Sequence, residues 1–114
     1  MITKQMSIAI HVMTTLARKG STTGPAIAAE LKCSQTYVAN IMRKLTESGY
    51  IVGFSGYGGG RILNVQANDI TLANIVSIFI NTDNIDGDAK IVSDLIIHNL
   101  NKITLSDFVT RKMV

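Results

Sequence analysis

The chain lacks the cysteine pairs of a disulfide or zinc site and the long apolar run of a membrane span. Its 114 residues include one cysteine, one proline and no tryptophan. Because Cys33 has neither a second cysteine nor a nearby histidine as a partner, the sequence excludes an internal disulfide and a zinc site of cysteine and histidine. No apolar run reaches the roughly 18 to 20 residues of a membrane span, and the first residues lack the basic segment and long apolar core of a secretory signal. We therefore expect a cytoplasmic protein with no bound metal and no membrane partner.

What the chain does contain is enough apolar material for one compact core, since 46% of its residues are hydrophobic and 17% are charged. Its net charge of +3 is unevenly distributed. Residues 1–66 hold seven Lys and Arg against Glu30 and Glu47, whereas residues 67–114 hold four against six acids. The front half is therefore suited to contact phosphates, and the back half is not.

The spacing of apolar side chains predicts helices, and a glycine-rich loop between two short apolar segments predicts a β-hairpin. The predicted elements, in chain order, are helices at about 3–18, 25–31 and 34–48, strands at 50–52 and 61–65, helices at about 71–80 and 88–100, and a last short turn of helix through Phe108 and Val109. Ser34 and Thr71 are suited to cap the third and fourth helices.

This order of elements predicts a mainly α fold with a small β-hairpin. Two helices joined by a tight turn and followed by a hairpin, or wing, form a winged helix-turn-helix. We expect that DNA-binding domain over residues 1–80, and a C-terminal dimerisation helix with a short final helix over residues 81–114.

The third predicted helix has an apolar face that packs and a polar face that is free. Its first turn and polar face carry side chains able to bond phosphates or base edges: Ser34, Gln35, Thr36, Tyr37, Asn40, Arg43 and Lys44. Asn and Gln can bond adenine with two hydrogen bonds, and Arg can bond guanine likewise. The cations expected to neutralise DNA phosphates are Lys4, Arg43, Lys44 and Arg61. With a helix and turn before it and a wing after it, this helix is predicted to read the major groove of double-stranded DNA.

The helix predicted at 88–100 is apolar around more of its circumference than a surface helix needs. Its expected interface residues are Ile91, Val92, Leu95, Ile96 and Leu100. An unpartnered apolar surface of this size indicates a protein interface. We predict a homodimer packed through this helix.

Several segments resemble a known family. These are IAIHVM in the first helix, IAAEL in the second, SQTYVANIMRKLTESGYIV, the GYGGG loop and ITLANI. Together, over about residues 1–80, they are similar to the bacterial Rrf-type winged-helix regulators that include IscR, NsrR and CymR. The resemblance implies a homodimer that represses from a palindromic operator, with residues 34–37 on the DNA and the wing near the minor groove. The wing residues that it assigns to DNA are Ser55, Gly58, Gly59, Gly60 and Arg61.

The sequence departs from this family in the wing and in the sensor. Ser55 stands where an arginine usually precedes the first loop glycine, and Arg61 where an aromatic residue usually follows the glycines. Our hypothesis is that Arg61 supplies the displaced charge to a narrow minor groove. Cluster-binding members carry three cysteines before the dimerisation helix, whereas residues 81–93 contain none. Because thiolates are the usual ligands, we expect no iron-sulfur cluster and no cofactor.

Some alternatives stay open. Cys33 suits either a small buried apolar residue or a redox switch, since Lys32 and the start of the third helix lie beside it. His11 and His98 lack a catalytic partner in the sequence, and the absence of a nucleophile or acid–base constellation indicates that the protein is not an enzyme. A winged-helix module that binds a protein instead of DNA is the rival interpretation. The effector is a small molecule, a protein, thiol chemistry or none.

Overall fold

A computed structural model describes residues 3–54, 60–80 and 87–112. The described elements are helices α1 (Lys4–Lys19), α2 (Gly24–Leu31) and α3 (Gln35–Glu47), strands β1 (Ile51–Phe54) and β2 (Gly60–Leu63), and helices α4 (Leu72–Ser77), α5 (Gly87–Leu100) and α6 (Leu105–Lys112). The predicted fold class, mainly helical with one small antiparallel hairpin, is confirmed. None of the described helices is long and apolar enough to span a membrane.

Hydroxyl side chains cap the N-termini of the first three helices. Thr3, Thr23 and Ser34 each accept a hydrogen bond from the backbone N–H three residues further on, at 3.1 to 3.2 Å. Each bond satisfies one of the N–H groups that a helix start leaves unpaired. The turn between α2 and α3 is short because Lys32 adopts a left-handed conformation, with φ of 55°. This turn fixes α3 across α2.

The core lies on the inner side of α1, where α3, α4 and α6 pack against it. Its largest fully buried side chains include Met13, Leu16, Ile27, Leu45, Ile51, Ile70, Ile75 and Leu105. Leu105 belongs to α6, so the chain returns to the first helix after α5. Backbone bonds hold that return, from Leu105 N–H to Ile70 O at 2.8 Å and from Leu72 N–H to Ile103 O at 2.9 Å.

The wing is attached to the loop before α2. β1 and β2 pair antiparallel, with Ile51 opposite Leu63 at the base. Thr22 extends the hairpin, since its N–H donates to Arg61 O at 3.2 Å and its carbonyl accepts from Arg61 N–H at 2.8 Å. Gly60 allows this close approach, because a Cβ there would lie 2.9 Å from Thr22 O. The hairpin is thereby attached to the segment that leads into α2.

Some boundaries differ from the sequence prediction. α4 ends at Ser77 instead of near residue 80, and the Ser77 hydroxyl donates to Ala73 O at 2.6 Å within the last turn. α6 is longer than the predicted short turn. Thr104 and Asp107 account for its start, since each side chain accepts the other's backbone N–H, at 3.0 and 3.2 Å.

Candidate nucleic-acid interface

The fold leaves one side of α3 uncovered. Its buried side chains are Val38, Ile41, Met42 and Leu45. Among its exposed side chains are four polar ones that we call the reading face: Gln35, Thr36, Asn40 and Arg43. The helical period of 3.6 residues places Thr36, Asn40 and Arg43 opposite the buried positions, which recur at steps of three and four, and Gln35 is exposed at the start of the helix. Their contact with DNA stays a prediction.

The first turn of α3 presents polar groups at a helix N-terminus. The Ser34 Oγ accepts the Tyr37 N–H at 3.1 Å, which leaves the hydroxyl proton free to be donated. Gln35 and Thr36 follow, both exposed. The partial positive charge of a helix start favours an anionic partner at this turn.

Arg43 is braced along the reading face. Its Nη1 donates to Glu47 Oε1 at 2.9 Å, and its Nη2 donates to Asn40 Oδ1 at 3.3 Å. Both partners are exposed, so the brace contributes little stability, but it orients the guanidinium. Sequence reasoning missed Glu47, although its i, i+4 spacing from Arg43 was the signal that predicts such a pair.

Two lysines flank the reading face, and each lies over an aromatic ring. Lys4 Nζ is 5.2 Å from the centre of the Tyr37 ring. Lys44 Nζ is 5.5 Å from the centre of the Phe79 ring. These distances are within the range of cation–π attraction. Sequence reasoning selected both lysines and Tyr37 but missed Phe79, which lies 35 residues from Lys44 and carries no local signal.

Only part of the wing is described. Ser55, Gly58 and Gly59, three of the predicted DNA contacts, lie outside the described residues. Gly60 is buried. Arg61 is half-buried and lies back along the hairpin, with Nη1 3.0 Å from the position that a Cβ on Gly53 would take. A minor-groove contact by Arg61 stays a prediction, and it requires this side chain to turn outward.

Cys33 is half-buried at the turn between α2 and α3. Its side chain packs against the edge of the core, and its N–H donates to Ala28 O at 3.0 Å. Lys4, Ser7 and Leu31 border a surface depression beside it. The thiol is thus packed on one side and partly exposed on the other, and a role in redox chemistry stays a prediction.

His11 has an acidic partner that the sequence did not reveal. Its Nε2 lies 2.8 Å from Glu30 Oε2, and Lys19 Nζ lies 3.9 Å from Glu30 Oε1. The cluster connects α1 to α2 at the protein surface. The partners are 19 residues apart, so only the packing of the two helices brings them together.

The predicted dimer residues divide into two groups on α5. Ile91, Val92 and Leu95 are 59%, 48% and 60% exposed. Ile96 and Leu100 are half-buried and, with Val76 of α4 and other apolar side chains, line a small cavity inside the chain. The exposed group is an apolar surface that the chain itself does not cover.

A helix-turn-helix of α2 and α3, followed by a hairpin, defines a winged helix-turn-helix, a class of nucleic-acid-binding domain. A model of the Rrf2 family, described as an iron-dependent transcriptional regulator, matches residues 2–93. The chain belongs to the Rrf2 family of transcriptional regulators, and the predicted family is confirmed.

Solved structures agree with this fold. IscR from T. potens superposes with a TM-score of 0.81 at 22% identity, over 98% of this chain and 88% of that one. CymR (YrzC), the global cysteine regulator of B. subtilis, gives 0.79 at 22% identity, over 97% of both chains. Staphylococcus aureus CymR gives 0.76 at 21% identity, over 94% of this chain and 96% of that one. A search of curated protein sequences found no match.

The family description implies iron, but the donors of this chain do not fit a cysteine-ligated cluster. Such clusters are usually held by four thiolates. Cys33 is the single cysteine of the sequence, and its thiol packs against the core edge. Within 3–54, 60–80 and 87–112, no three His, Cys, Asp or Glu side chains gather closely enough to hold a metal ion. We therefore assign no step to iron.

Proposed function

We propose that the protein is a homodimeric transcriptional repressor whose two α3 helices read the half-sites of a palindromic operator. The observation that carries the proposal is the reading face of α3, left uncovered beside a hairpin and bordered by cations. Residues 1–80 form the DNA-binding part in this proposal, and residues 81–114 the dimerisation part.

The reading face supports base contacts. Gln35 and Asn40 are amides with one donor and one acceptor group, which suits the edge of adenine. Arg43 offers a fork of donors that suits guanine. All three are exposed on one side of one helix, and an α-helix fits the width of the major groove.

The charge near this face supports phosphate contacts. Lys4 and Lys44 lie over aromatic rings, and neither ring neutralises the charge of its lysine. A cation that keeps its charge can replace a counterion at a phosphate, which gives binding that weakens steeply with salt.

The exposed group on α5 supports the homodimer. Ile91, Val92 and Leu95 together form an apolar surface that a second copy can cover by two-fold symmetry. Two-fold symmetry of the protein matches a palindromic operator, with half-sites about 34 to 36 Å apart. Occupying an operator requires only a reading face and a dimer surface, so we propose repression in the cytoplasm, without an iron-sulfur cluster. A small-molecule or protein effector would adjust this occupancy.

The test is a selection of binding sites from random DNA duplexes by the full-length protein, followed by affinity measurements on the selected and a random duplex. Gln35→Ala should cost about 1 to 3 kcal/mol on the selected duplex and little on random DNA. Lys44→Ala should weaken binding to both duplexes alike and lower the salt slope by about 1. Failure of the wild type to bind any duplex would favour a winged-helix module that binds a protein.

A further inference from the structure

A half-enclosed pocket of about 170 Å³ lies between the first turn of α1 and the middle of α3. Its polar lining consists of Gln5, Tyr37, Asn40, Arg43 and Lys44. Each of these side chains can donate a hydrogen bond, and none of them is acidic. A lining of donors and cations is complementary to an anion.

The size of the pocket favours a small anionic group. Sites for drug-sized ligands are larger, at about 300 to 1,000 Å³. A single phosphate group fits this pocket better than an effector molecule does.

The two lysines at the pocket are positioned by aromatic rings, unlike Arg43 in its lining, which is paired with a carboxylate. Lys44 Nζ lies over the Phe79 ring at 5.5 Å, and Lys4 Nζ lies over the Tyr37 ring at 5.2 Å. A carboxylate partner would hold each ammonium but cancel its charge, whereas an aromatic ring restricts its position and leaves the charge intact. In the part of the chain that the structure describes, neither lysine has a carboxylate partner, so both charges are available beside the pocket.

We propose that this pocket, the α1–α3 seat, binds one backbone phosphate of the DNA, and that Phe79 is a positioning residue for Lys44. Gln5 and Tyr37 donate to the phosphate oxygens, and Lys44 supplies the charge. The seat shares two lining residues with the reading face, so a phosphate held there sets the depth and register of α3 in the major groove. This inference rests on the proposed DNA-binding function.

The experiment removes single charges from the DNA and single side chains from the protein. The selected duplex is prepared with one neutral methylphosphonate linkage at each backbone position in turn. Affinity is measured by fluorescence anisotropy for the full-length wild type, Gln5→Ala, Lys44→Ala and Phe79→Leu. Lys102→Ala, which removes an exposed lysine outside the seat, is the matched control.

The wild type should lose about tenfold in affinity at the linkage that occupies the seat, as expected for one charge-assisted contact. At that linkage the losses from Gln5→Ala and Lys44→Ala should disappear, because the contact is already gone. Lys102→Ala should lose the same factor as the wild type at every linkage.

The positioning role of Phe79 is tested by comparing a variant that removes the aromatic ring with a variant that keeps it. Phe79→Leu should weaken binding about two- to fivefold at an unchanged salt slope, since the charge of Lys44 remains. Phe79→Tyr, which keeps a ring, should restore the affinity. A purely structural role would lower the melting temperature without any coupling to the methylphosphonate position.

The outcomes separate the two proposals. If the wild type binds the selected duplex but no neutral linkage removes the affinity losses of Gln5→Ala and Lys44→Ala, the proposed phosphate site is wrong and the proposed function stands. If Phe79→Leu and Phe79→Tyr weaken binding equally, Phe79 does not position Lys44. If the wild type binds no duplex, the proposed function fails and the seat fails with it.

Discussion

Glu47 lies where it should oppose DNA binding while stabilising the free protein. Its carboxylate accepts from Arg43 Nη1 at 2.9 Å on the reading face, and both side chains are exposed. To bond a base or a phosphate, Arg43 must leave this partner. The change Glu47→Gln keeps the length of the side chain and removes its charge.

The two effects have opposite signs. An exposed i, i+4 ion pair on a helix is worth about 0.3 to 0.5 kcal/mol, so Glu47→Gln should lower the free energy of unfolding by that amount. In the variant, Arg43 does not have to give up this ion-pair energy when it leaves residue 47 to contact DNA. Removing a negative charge also removes repulsion from phosphates, which in water is about 0.5 kcal/mol at about 8 Å before screening. Together these terms predict about a two- to fivefold gain in DNA affinity.

Urea unfolding and fluorescence anisotropy with the selected duplex measure the two quantities. Asp94→Asn is the matched control, since Asp94 forms the same kind of i, i+4 pair with Lys90 on α5 and lies outside the reading face. It should show a similar small loss of stability and no gain in affinity. A loss of DNA affinity in Glu47→Gln would refute the reasoning, because it would mean that Glu47 reads a base or holds Arg43 in its binding geometry.

Other predictions concern the dimer, the wing and the thiol. Leu95→Asp should convert the proposed dimer to a folded monomer in analytical ultracentrifugation, whereas Lys90→Glu, on the other side of the same helix, should not, and a Leu95→Asp dimer would place the interface elsewhere. Gly60→Ala should lower the free energy of unfolding by about 1 to 3 kcal/mol in a thermal melt, because its Cβ would lie 2.9 Å from Thr22 O. Unchanged stability would show that the backbone pairing of Thr22 with the hairpin shifts at little cost. Cys33→Ala should lower the free energy of unfolding by under about 2 kcal/mol, and neither this variant nor the wild type should change its DNA affinity after peroxide. If peroxide changes the DNA affinity of the wild type but not that of Cys33→Ala, Cys33 is a redox switch.

Local signals in the sequence were sufficient to predict the first half of the fold. Ser34 caps α3 as predicted, and the glycine after its end, Gly49, has a positive φ of 84°. The helical period of α3 was enough to separate its buried side from its exposed side. These features depend on neighbours within one or two turns of helix, so the sequence contains them directly.

Contacts between distant residues were beyond such reasoning. Leu105 is fully buried in the core although its short helix has a mostly polar sequence, and only its packing against α1 explains this. Arg61 looked like a free cation beside the glycines, yet it lies half-buried against Gly53 of the paired strand. The pairing of Thr22 with Arg61 depends on the three-dimensional course of the chain, which no local pattern encodes.

The candidate interface shows the same division. Helical geometry selected Asn40 correctly as an exposed side chain, and Gln35 was selected by its place in the first turn of the helix. It gave no indication that Lys44 lies over Phe79, because long side chains choose their partners from whatever the fold brings near. The positions of the charges, and hence the proposed phosphate seat, were therefore available only from the structure.

The central claim is that the polar side of α3 enters the major groove, and methylation interference on the selected duplex tests it most directly. Methyl groups on guanine N7 lie in the major groove, whereas those on adenine N3 lie in the minor groove. We predict that N7 methylation blocks binding of the full-length protein at two symmetric clusters about one helical turn apart. Binding that tolerates every N7 methyl group, or that is blocked only by methyl groups in the minor groove, would contradict the account.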